Sequence, residues 1–125
     1  MQKRAFLSGA AALASAALWL ISQPALAHAH LTSSEPADNA VVAASPQALI
    51  LTFSEDVEPA FSGITLLGAD KHSLVGDKAQ QDAQQRNRLI LALKTPLAAG
   101  DYQVKWHVLS VDGHKTQGST RFRVK

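Results

Sequence analysis

The chain has 125 residues, with 12 Lys and Arg against 10 Asp and Glu, five His, one Met and no Cys. That length holds one small domain, and the lack of Cys excludes disulfides, thiolate metal ligands and a cysteine nucleophile. No GxSxG, P-loop or GxGxxG pattern occurs, and no basic, aromatic-rich stripe marks a nucleic-acid partner.

The first element in chain order is a leader. Lys3 and Arg4 form a short positive stretch, Ala5 to Ile21 is mostly Ala and Leu, and Pro24 breaks any helix before the small residues Ala25 and Ala27. This is the layout of a secretory signal peptide over residues 1–27 with an A-x-A cleavage site. The apolar run is interrupted by Ser8, Gly9 and Ser15 and is short for a membrane-spanning anchor. No Arg-Arg pair is present, so export by the unfolded-chain route is expected rather than twin-arginine export. Cleavage after Ala27 makes His28 the first residue. Cleavage after Ala29 is the alternative and exposes His30 instead. Residues 28–125 then form a domain of 98 residues with ten Lys and Arg against ten Asp and Glu. An exported domain of this size without disulfides must rely on its apolar core, with help from a bound metal.

After the leader the chain reads as strands and turns. A short opening strand is expected over His30 to Ser34. Gln47 to Phe53 places Leu49, Leu51 and Phe53 on one face, Phe61 to Leu67 is a second apolar run, and Arg88 to Leu93 places Leu89, Leu91 and Leu93 together. Tyr102, Val104, Trp106 and Val108 alternate with Gln103, Lys105 and His107, and Phe122 and Val124 alternate with Arg121 and Arg123. A period of two means strands with one buried face. Glu35 to Asn39, Ser45-Pro46 and Pro96 to Asp101 supply turn chemistry. Gly68 to Asn87 is the one long polar loop, with a single helical turn allowed over Ala79 to Gln85. Strands at this spacing predict an all-β fold: a small Greek-key sandwich or barrel, immunoglobulin-like or cupredoxin-like.

Metal-binding chemistry enters at His28. Its ring nitrogen and the amine freed by cleavage can close one chelate ring, a grip that orders one residue for two bonds. Imidazole nitrogen suits copper(II) and zinc, and copper(II) stands highest among the divalent ions. The partner donors are expected from Asp112-Gly113-His114. Residues i and i+2 on an extended segment point the same way, so a carboxylate and an imidazole can converge while Gly113 leaves the approach clear. Asp-Gly is also a common hairpin-turn signal. His30, third in the cleaved chain, offers a competing copper(II) mode through deprotonated backbone amides, which a folded first strand would oppose.

Several stretches together identify a relationship. His28-Ala-His-Leu31, Glu35-Pro36-Ala37, Phe53-Ser54-Glu55, Trp106-His-Val-Leu-Ser-Val-Asp-Gly-His114 and Gly118-Ser119 resemble the periplasmic copper resistance protein CopC family across residues 28–125. The resemblance implies a small Greek-key β fold that binds copper in the periplasm. It implies a copper(II) site built from the amine and ring of His28 with Asp112 and His114, and it places Glu55 near that site as a supporting group or weak axial ligand. Some family members carry a Met-rich loop for copper(I). Here the only Met is Met1, in the leader, so a copper(II)-only protein is expected.

The remaining residues read as structural. His107 and His72 are expected at the surface, Trp106 in the core near the metal, and Arg121 and Arg123 on a solvated strand face. The leading function is a monomeric, non-catalytic carrier or buffer of copper. It would deliver to an inner-membrane copper transporter (CopD-like) or to another periplasmic copper protein. The alternatives are a copper-dependent oxidative enzyme with an N-terminal histidine brace and a structural or adhesion sandwich with incidental histidines.

Overall fold

The computed structural model describes residues 28–74 and 78–125; the expected leader lies outside the described residues. The described chain forms β1 (Leu31–Glu35), β2 (Ala40–Val42), β3 (Ala48–Phe53), β4 (Gly63–Leu67), β5 (Ser73–Leu74), β6 (Gln80–Gln81), β7 (Arg88–Ala92), β8 (Gly100–Leu109) and β9 (Lys115–Val124), with a 3-10 turn at Pro59–Phe61. The strands make two sheets, ordered β1-β3-β7-β6 and β2-β9-β8-β4-β5. The chain changes sheet after β1, β2, β3, β5 and β7, the connectivity of a Greek-key sandwich. Among the described residues no helix is long and apolar enough to cross a membrane.

The alternation in the sequence is the cause of the two layers. Leu49, Leu51 and Phe53 of β3 and Leu89 and Leu91 of β7 face Val104, Trp106 and Val108 of β8 and Phe122 and Val124 of β9 across one buried core. Each such side chain, fully buried, contributes about 1.5–3 kcal/mol. Trp106 lies edge-on to Phe53, ring centroids 5.0 Å apart, and joins the layers at mid-core. Across the β8–β9 ladder Trp106 is paired with Gly118. A Cβ at that position would sit 2.6 Å from the indole Cζ2, so only glycine leaves room for the ring.

Three expectations change in the structure. The second apolar run starts at Gly63 rather than Phe61, because Pro59–Phe61 closes a 3-10 turn first. The helical turn allowed over Ala79 to Gln85 does not form. Gln80–Gln81 instead pairs with β7 as an edge strand, where Gln81 Nε2 donates to the carbonyls of Val57 and Arg86. β2 is absent from the sequence reading because three residues are too few to show a period. It forms by lying parallel to the last three residues of β9, Phe122 to Val124.

Candidate metal centre

At one end of the sandwich β1 begins, β3 ends and β8 turns into β9. The turn is organised by Ser110, whose side chain is buried. Its N–H donates to the His114 carbonyl at 2.9 Å, its Oγ accepts the His114 N–H at 3.2 Å, and the Gly113 N–H donates to its carbonyl at 2.9 Å. Gly113 sits at φ +95°, a conformation L side chains rarely adopt. Asp112 and His114 therefore meet through a tight turn and not through the extended i, i+2 geometry expected from the spacing. The turn reading of Asp-Gly is the one the structure shows, and that turn brings Asp112 and His114 side by side.

Asp112 Oδ1 accepts a hydrogen bond from Ser110 Oγ and lies 3.2 Å from His114 Nδ1. The Ser110 hydroxyl, then the His114 ring and backbone, hold the Asp112 carboxyl below its ordinary pKa. Hydrogen bonds to the charged form favour that form, so a carboxylate stands ready beside an imidazole.

The opposite wall comes from the start of the described chain. Ala29 is completely buried, and its carbonyl accepts the Thr116 hydroxyl at 2.6 Å. Ser54 Oγ donates to the His28 carbonyl at 3.3 Å and accepts the His30 N–H at 3.0 Å, while the Ser54 N–H donates to the His30 carbonyl at 2.8 Å. These contacts set the His28 ring against that of His114, centroids 4.5 Å apart and planes inclined by 54°. Residues 86 positions apart in sequence thus present two imidazoles and one carboxylate at one end of the fold. That donor set suits copper(II) or zinc. Among the described residues no three His, Cys, Asp or Glu side chains already close on a single point. Asp112 and His114 are turned towards each other, and in the uncut chain the His28 nitrogen is a peptide nitrogen joined to Ala27.

His30 is exposed, and its Nδ1 lies 3.2 Å from Ser54 Oγ. Glu55 is exposed one residue beyond Ser54, and among the described residues its carboxylate forms no ion pair with these imidazoles. His107 and His72 are on the surface as expected, with the His107 ring lying over Gly63, where a Cβ would come within 2.7 Å of it. The sequence reading missed Ser54, Ser110 and Thr116. Their signal is weak: a hydroxyl two residues before an aspartate is a turn cue, but nothing local marks Ser54 or Thr116 as partners of residues 28–30.

The fold and its donor-bearing end define a small β-sandwich with the makings of a metal site. The CopC domain family matches residues 31–125, and the chain belongs to that family, one associated with copper resistance. It is 46% identical over 106 residues to Protein YobA of Escherichia coli strain K12, covering 85% of this chain and 86% of that protein. It is 36% identical over 115 residues to Copper resistance protein C of Pseudomonas syringae pv. tomato, covering 88% and 90%. The crystal structure of CopC from Methylosinus trichosporium OB3b superposes with a TM-score of 0.74 at 38% identity, over 78% of this chain and 94% of that one.

Proposed function

We propose that the protein is an exported, non-catalytic carrier or buffer of copper(II) in the periplasm. The ion is its cargo, held by the amine and ring of His28 at the processed N-terminus, the Asp112 carboxylate and the His114 ring. The observation that carries this reading is the approach of the His28 and His114 rings to 4.5 Å, with Asp112 at 3.2 Å from His114 Nδ1. Two further points support it. Nitrogen and carboxylate oxygen favour copper(II), whereas copper(I) selects soft sulfur, and Met1 is the only sulfur in the chain. The site is also at the surface, with the His114 side chain 50% exposed, so an incoming protein can reach the ion. Delivery is to an inner-membrane copper transporter (CopD-like) or to another periplasmic copper protein, and the carrier acts as a monomer. Glu55 is near enough in sequence to Ser54 to swing towards the ion, as a supporting or weak axial group.

The test is copper(II) titration of residues 28–125, beginning at His28. One equivalent is expected to bind, and His28→Ala or His114→Ala should abolish that event. A chain that retains Ala27 lacks the free amine and should bind more weakly. Undiminished stoichiometric binding by either variant would reject the assignment.

A further inference from the structure

We infer that Ser54 and Thr116 are positioning residues that select between two copper(II) coordination modes at the processed N-terminus. The inference rests on the proposed site and on His28 as the first residue. A chain that begins His28-Ala29-His30 carries two competing chelators. One spans the fold, from His28 to Asp112 and His114. The other needs residues 28–30 alone: the amine, two backbone nitrogens and the His30 ring wrap around one ion in a plane. In a free peptide the local chelate wins, because it closes fused rings without ordering any distant chain. It also surrounds the ion with four nitrogens from one short segment, which leaves no donor for a receiving protein to replace easily.

The fold removes the local mode by conformation. Wrapping residues 28–30 around an ion requires Ala29 to leave the core, where it is 0% exposed, and its carbonyl to leave the Thr116 hydroxyl at 2.6 Å. It also requires Ser54 to release both ends of the segment. Ser54 Oγ takes the His30 N–H at 3.0 Å and lies 3.2 Å from His30 Nδ1, and it donates to the His28 carbonyl at 3.3 Å. With the proton on His30 Nδ1, one hydroxyl satisfies all three contacts. The His30 ring is thereby kept on Ser54 while the His28 ring is kept on His114, 4.5 Å between centroids. The segment is stretched between two anchors, and only the spanning mode fits that shape.

The experiment loads residues 28–125 with one equivalent of copper(II) and records visible absorption and electron paramagnetic resonance beside a synthetic His-Ala-His-Leu peptide. Wild type should show a mixed nitrogen–oxygen signature, distinct from the peptide, that is lost in His114→Ala. Ser54→Ala with Thr116→Val should shift the visible band to shorter wavelength, to the peptide position, and binding should no longer depend on His114. Ser54→Ala alone, which keeps the Thr116 anchor, should give a mixture of both signals, and Thr116→Ser should keep the wild-type spectrum. The inference is overturned if the single and double variants, folded by their Trp106 emission, keep the wild-type spectrum and still need His114. A wild-type spectrum that already equals the peptide's, or is indifferent to His114, overturns the site itself.

Discussion

Ser110 and Gly113 shape the carboxylate–imidazole half of the site. Because the Ser110 hydroxyl is the foremost cause of the lowered Asp112 pKa, Ser110→Ala should raise that pKa towards the ordinary aspartate value, as read from the Asp112 carboxyl carbon shift across an acid titration. The sign follows from linkage. A carboxyl depressed in the folded state adds stability above its unfolded pKa and loses it as pH falls through the folded one. In the variant that contribution should be smaller, and its loss should be complete at a higher pH. Gly113 makes a separate prediction. A Cβ there would meet nothing within 4 Å, but φ is +95°, so Gly113→Ala should cost about 1–2 kcal/mol through backbone strain alone. A urea titration should show a lower midpoint with an unchanged slope.

The β8–β9 hairpin is the element on which the site depends. Its ladder runs without a break from Gly100 opposite Val124 to Leu109 opposite Lys115. One end closes with Gly100 opposite Val124, and the other carries Asp112, His114 and, through Thr116, the anchor of Ala29. Trp106 against Gly118 locks the two strands at mid-length. Gly118→Ala places a methyl 2.6 Å from a ring that is only 8% exposed. Overpacking of this kind costs about 1–3 kcal/mol. The near-ultraviolet circular dichroism of Trp106, the one Trp after residue 27, should change together with the urea midpoint.

For the whole molecule, a metal that binds only the folded state adds stability. At free copper a hundred times the dissociation constant the gain is about 2.7 kcal/mol, visible as a rise in the melting temperature of the processed chain. Protons compete with copper for imidazole and carboxylate donors, so this rise should shrink as pH falls and should be absent in His114→Ala at any pH. A melting temperature that copper leaves unchanged near neutral pH would contradict the carrier role.

The layers of this protein were legible in its residues because a period of two is a local property. Leu49-x-Leu51-x-Phe53 and Tyr102-x-Val104-x-Trp106-x-Val108 each declare a buried face without reference to any other strand. β2 and β6 were not legible, since Ala40–Val42 and Gln80–Gln81 carry no pattern of their own and become strands only by adding to an existing edge. At the proposed site, His28, Asp112 and His114 were candidates from residue type, spacing and family resemblance. The geometry that joins them was not. The expected extended i, i+2 geometry gave way to a turn held by Ser110. The approach of the His28 and His114 rings depends on Ala29 entering the core and on hydroxyls at positions 54 and 116. The identity of the proposed donors is written into single residues, whereas the distance between them depends on how 85 intervening positions are folded back, and contacts of that range have no local signature in a chain.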